Sequence, residues 1–185
     1  MDKKNNYTED LPNVLDRIIV WTDNCDTKTS IILSGIGVVI GILLATDYVS
    51  KFRSIYAHMI DSKSFWATAY LIFAAVAIGA FSVGIGFLVS SLTPRINPKK
   101  YKKRGINTDS LIYFSTIAGY TTLKAYKEKV YEWSNFKQKD DYLSEIYVCS
   151  VICDEKFRHC KIGILLSIIS LFVFSVLAII GASVI

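Results

Sequence analysis

Thr29 to Thr46, TSIILSGIGVVIGILLAT, runs for 18 residues without one Asp, Glu, Lys, Arg or His. Two more stretches share this property, Ser64 to Thr93 and Ile162 to Ile185, at 30 and 24 residues. A helix needs roughly 20 apolar residues to cross a hydrocarbon core of about 30 Å, so all three read as spans. The middle one is long enough to tilt or to extend past the bilayer. A charge at membrane depth is costly and usually functional. Clean runs therefore argue against proton pumps, ion-coupled carriers and voltage sensors. The expected fold class is an all-α membrane protein with three transmembrane helices.

Working outward, the 28 residues before the first run are polar or amphipathic. No small-residue cleavage site follows within a typical apolar core, so the first run reads as a signal anchor. No glycine acylation motif or prenylation box is present, and anchoring is expected to rest on the helices. Residues 94–161 hold 14 of the 21 Lys and Arg. The positive-inside rule places that segment in the cytoplasm and, with three spans, the N-terminus beside it. The partition is a cytoplasmic amphipathic helix at 1–28, transmembrane helix 1 at 29–46, an outer loop at 47–63 and transmembrane helix 2 at 64–93. A cytoplasmic basic loop and helical bundle follow at 94–161, then transmembrane helix 3 at 162–185. The expected location is a cell membrane, multi-pass.

Leu11, Leu15, Ile18, Thr22, Cys25 and Thr29 alternate by four and three, with Pro12 in a first turn that tolerates it. This predicts a helix that runs unbroken into the first span. Leu143, Ile146, Ser150, Cys153, Phe157 and Cys160 alternate likewise, and the register continues through Ile164, Ser167, Leu171, Phe174, Ala178 and Gly181. One helix of about 45 residues is predicted there, roughly 67 Å long, with Asp140 or Asp141 as its N-cap. Asn107 to Lys139, interrupted only by Gly119, predicts another cytoplasmic helix. Pro94, Pro98 and Gly105 leave the basic cluster between span and helix as a loop at the membrane surface. The first and third spans are thus expected to extend into a cytoplasmic helical bundle.

Little in the chain suggests catalysis. There are two histidines, His58 and His159, and no His-Glu-x-x-His pair, nucleophile elbow or phosphate-binding loop. No enzyme, no cofactor and no metal are expected. Cys25, Cys149, Cys153 and Cys160 lack the paired spacing of a structural zinc site and read as small buried residues. The basic cluster admits two readings. It satisfies topology and touches anionic headgroups, or Arg95, Lys102, Lys103 and Arg104 pair with the phosphate of a small ligand. In the second case Tyr113, Tyr120 or Trp133 would stack on its base. Gly37 and Gly41, and Ala75, Gly79, Ala80 and Gly84, form small-x-x-x-small pairs. They fit packing within one monomer or assembly into a homo-oligomer. Asp26 and Lys28 stand at the mouth of the first span. In a structural reading Lys28 snorkels while Asp26 pairs with it or with a base of another helix; the other reading is sensing or gating.

Trp21, Asp26, Thr27, Lys28, Thr29 and Ser30, running straight into the first span, resemble the corresponding start in transmembrane effectors of the Pycsar antiphage system. Asp141, Leu143, Ile146, Tyr147, Ser150, Ile152, Lys156 and Phe157, leading into the last span, are similar to that family's closing motif. Tyr113 and Phe114 after the middle loop add to the likeness, which covers the chain from about Val20 onward. Thr29 stands where Ala is common and Glu145 where an amide is common. The resemblance implies a membrane effector that senses a cyclic pyrimidine mononucleotide, cyclic CMP or cyclic UMP, rather than a nucleic acid polymer. It further implies impaired inner-membrane integrity and abortive infection. Its two motifs direct attention to Trp21, Asp26, Lys28, Lys156 and Phe157 as gating or membrane-mouth residues. The alternatives are a membrane anchor or scaffold for a cytoplasmic partner and a small holin-like channel.

Overall fold

The computed structural model describes residues 10–62, 64–93, 110–133 and 135–184. Arg95, Lys102, Lys103 and Arg104 lie outside the described residues. Every described element is a helix: α1 Leu11–Leu43, α2 Thr46–Asp61, α3 Phe65–Leu92, α4 Phe114–Ala118, α5 Leu123–Tyr131 and α6 Asn135–Val184. Three of them, α1, α3 and α6, are long and apolar enough to cross a membrane. The chain divides into two compact units, one of residues 1–24 and 94–155, the other of residues 25–93 and 156–185.

α1 is continuous over 33 residues and α6 over 50, so two spans are the apolar parts of longer helices, as their periodicity predicts. On α1 the buried positions are Leu11, Leu15, Ile18, Cys25 and Thr29, the expected stripe apart from Thr22, which is half-buried. On α6 the stripe is rotated. Cys153, Cys160, Ser167 and Gly181 are buried as expected, but the alternate positions are Lys156, Gly163 and Ser170 in place of Phe157, Ile164 and Leu171. The reason is close approach. A Cβ on Gly163 would sit 2.9 Å from the Gly84 carbonyl oxygen, and one on Gly84 would sit 3.0 Å from the Ser167 amide nitrogen. In lipid, where apolar burial drives no helix association, such small-residue contact carries the packing. The facing stripe on α3 is Ala67, Tyr70, Ala74, Ala77, Gly84, Leu88 and Ser91, at steps of three and four apart from the seven-residue step from Ala77 to Gly84.

Three expectations need correction. The segment 47–63, predicted as an outer loop, is largely α2. Ile55 and Met59, one turn apart, pack with Ala67 and Tyr70 of α3 in an apolar cluster, and that burial holds the segment helical. The helix predicted over 107–139 is, over its described residues, divided among α4, α5 and the first residues of α6. Gly119 ends α4, with its N–H on the Ser115 and Thr116 carbonyls; Thr122, extended, then caps α5 by accepting the Ala125 N–H at 3.2 Å. Finally, α6 begins at Asn135, ahead of the predicted caps. Asp141 is turned inward, 2% exposed, and accepts the Leu111 N–H at 3.1 Å.

Candidate functional site

In the second unit, polar side chains of three helices meet at the end of the spans where α1 enters and α3 leaves. Lys156 of α6 is 8% exposed at its side chain, and its Nζ donates to both carboxylate oxygens of Asp26 on α1, at 2.7 and 2.5 Å; Asp26 is 34% exposed. Burying an ammonium without a partner is costly, and the Asp26 carboxylate supplies that partner. The backbone carbonyl of the same Lys156 accepts the Ser91 hydroxyl of α3 at 3.2 Å. Lys156 therefore ties three helices through one residue.

One turn further into the spans, Thr29 is fully buried. Its hydroxyl donates to the Cys25 carbonyl at 2.8 Å and lies 3.3 Å from Cys160 Sγ. This is how the chain accommodates a hydroxyl where its resemblance leads one to expect Ala: α1 supplies a backbone acceptor and α6 a thiol. Ser90 Oγ lies 3.3 Å from His159 Nδ1, and the His159 ring stands edge-on to Phe87 at 5.3 Å. Three helices thus meet through charge, hydroxyl, thiol and imidazole groups, all beside a bilayer-length apolar bundle.

Of the residues expected at this mouth, Asp26 and Lys156 come together. Trp21, Lys28 and Phe157 are exposed, so Asp26 takes its base from another helix and not from Lys28. Ser90, Ser91, His159 and Cys160 were not expected here. Their signal in the sequence is faint: a Ser-Ser pair closing an otherwise apolar run, and a polar turn next to Lys156.

In the first unit, Tyr113 packs on Phe114 at 4.8 Å and Tyr120 on Tyr126 at 5.5 Å. The Trp133 indole nitrogen is buried without a hydrogen-bond partner among the described residues. Cys149 Sγ lies 3.8 Å from Glu145 Oε1. Burial pushes the Glu145 carboxyl above its usual range, with neighbouring Asp141 adding to the effect and the Cys149 contact opposing it. The Cys149 thiol is pushed up to about 12, chiefly by burial and then by Glu145. It is a weak nucleophile and a poor metal ligand in that state. Among the described residues no cluster of three or more His, Cys, Asp or Glu side chains is placed to hold a metal ion.

The geometry is that of helices joined at a polar node. A family model described as the Pycsar effector protein domain matches residues 10–182. The chain is also similar to the Pycsar effector protein GmPycTM of Gulbenkiania mobilis, with 27% identity over 180 residues, covering 91% of this chain and 90% of that protein. No solved structure matches it. With nearly the whole length matched, from the start of α1 to the end of α6, the chain belongs to the Pycsar effector protein family.

Proposed function

We propose that this membrane protein of antiviral defence senses a cyclic pyrimidine mononucleotide, cyclic CMP or cyclic UMP, and responds by impairing the inner membrane. The infected cell then stops growing or dies before phage are released. The observation that most supports this reading is α6, a single helix of 50 residues that continues from a polar part into a membrane span. A helix without a break moves as a unit, so a change at its polar part is felt in its span. The basic segment, by the positive-inside rule, supports a cytoplasmic position for that polar part and for the N-terminus. There the phosphate would pair with Arg95, Lys102, Lys103 or Arg104 and the base would stack on Tyr113, Tyr120 or Trp133. The buried Trp133 N–H is a donor suited to a nucleobase carbonyl.

The Asp26–Lys156 pair is the element that ligand would shift. Nucleotide favours a second packing of the spans only by binding it more tightly than the first. The apolar spans, assembled as a homo-oligomer, would leak by rearranging, since they present no charged pore lining. Dye release from proteoliposomes of the full chain tests this. Release on adding cyclic CMP or cyclic UMP, and not on adding cyclic AMP, is expected. Release without nucleotide would make the protein a constitutive channel, and no release with either pyrimidine nucleotide would leave the scaffold reading.

A further inference from the structure

We infer that α2 is an interfacial helix, seated in the phospholipid headgroup layer on the side where α1 passes to α3. Its position is forced by connectivity. Leu44 and Ala45 join it to one span, and residues 62–64 join it to the next. Both ends are therefore held at the same membrane surface.

The charge pattern of α2 agrees with that seat. At about 100° per residue, Ile55, Met59, Phe52 and Tyr56 fall on one side of the helix, followed around the wheel by Val49 and Ile60. Only the first part of this apolar sector is covered by protein. Ile55 and Met59 are buried with Ala67 and Tyr70, and Phe52 packs on Phe174 at 5.3 Å. Val49 and Ile60 are exposed, Ile60 by 61%, and an apolar flank at a membrane surface faces acyl chains.

The bases stand at the two edges of the apolar sector, Arg53 beside Ile60 and Lys51 beside Ile55. Asp47 and Asp61 occupy the middle of the polar face, farthest from the hydrocarbon. Bases at the edges can lay their alkyl stems on apolar surface and lift their charges to phosphate level, while carboxylates face water. This is the arrangement expected of a helix lying in the plane of the interface. Phe65 and Trp66, each 78% exposed in the first turn of α3, supply the aromatic belt at the same level. α2 also grips the far end of α6: a Cβ on Gly181 would meet Ile55 at 2.6 Å. The lipid-bound helix thus clamps the ends of two spans.

A solvatochromic amino acid introduced at position 49, 54 or 60 of the full chain tests the seat, in phosphatidylethanolamine and phosphatidylglycerol vesicles. Quenching by brominated lipid is compared with quenching by iodide present on both sides. Probes at 49 and 60 should be quenched by bromine at least about threefold more than the probe at 54, and iodide should show the reverse order. Iodide quenching at 60 equal to that at 54 would put the flank in water. Failure of both quenchers at 60 would mean that protein covers it; either result overturns the inference. In a K51E/R53E variant, bromine quenching at 60 should fall toward the value at 54, and an unchanged value would remove the phosphate contacts from the proposal.

Discussion

The two ends of the span bundle are held by opposite chemistry. At one end Asp26, Lys156, Ser91, Thr29 and Cys160 meet through an ion pair and directional polar contacts. At the other, Ile55, Met59, Ala67 and Tyr70 meet through apolar contact, with one phenol donating to a backbone carbonyl. Apolar contact is tolerant of small shifts and has no alternative partner to exchange for. An ion pair has two discrete conditions, made or broken, and its broken form can be stabilised by a ligand or by water. The polar end is thereby suited to switching and the apolar end to holding.

The largest effect should come from separating the ion pair. Asp26→Asn leaves the ammonium of Lys156 buried without its carboxylate, a change that costs roughly 3 kcal/mol for a buried pair and somewhat less here, since Asp26 is partly exposed. Thermal unfolding in detergent should show this loss. The D26N/K156M double variant should recover most of it, because no charge is then stranded. If the two single losses simply add in the double variant, the pair is not the coupling element and the contrast between the ends fails.

Next in size is the crossing between the ends. Gly84→Ala places its Cβ 2.7 Å from Ser167 Oγ and 3.0 Å from the Ser167 amide nitrogen, and a backbone atom cannot rotate away. Overpacking of this kind costs about 1–3 kcal/mol. Gly79→Ala, with nothing within 4 Å of the new atom, should be silent in the same unfolding assay and serves as its control. At the apolar end Tyr70→Phe removes the 3.0 Å bond to the Leu177 carbonyl, worth about 0.6 kcal/mol by the average for side-chain bonds between membrane helices. A loss as large as that of Asp26→Asn would show both ends to be equally directional.

The spans and the two long helices were legible because absence of charge over bilayer length and a sustained three-four period each have one physical cause. The α1 stripe was read correctly except at Thr22, which is half-buried, since Leu11, Leu15 and Ile18 set the register of the buried face. On α6 the same rule misplaced part of the stripe: in lipid large apolar residues such as Leu165 and Phe172 can face outward, while Gly163 and Ser170 permit contact. α2 was missed because its period is diluted by Lys51, Arg53 and His58, and its burial against α3 depends on contacts distant in sequence. Asp26 was singled out from its place at the membrane mouth. Its partner depended on how α1 and α6 are aligned, which no local pattern encodes. The aromatic candidates divide into separate ring contacts, Tyr113 with Phe114 and Tyr120 with Tyr126, because Gly119 and Thr122 break the helix that would have carried them together.

The smallest effect lies outside both ends, at Glu145, and it separates burial from switching. Burial raises this carboxyl above its ordinary value of 4.5, so the folded state binds the proton more tightly than the unfolded chain does. The stability tied to that proton is fully present below about pH 4.5 and is lost as pH rises through the folded-state value. Glu145→Gln keeps an oxygen to accept from Cys149 and removes the ionisation. The variant should match the parent at pH 4 and melt about 1–2 °C higher at pH 7.5. The Cys149 thiol, pushed up to about 12, does not titrate in this window, and other carboxylates cancel between parent and variant. A carboxylate held near a phosphate would act against nucleotide binding as it ionises, whereas one that is merely buried would leave affinity unchanged. Dye release by Glu145→Gln at parental nucleotide concentrations would therefore assign the pH effect to burial alone. A markedly lower concentration requirement would bring Glu145 into the ligand site and move the switch away from the Asp26–Lys156 end.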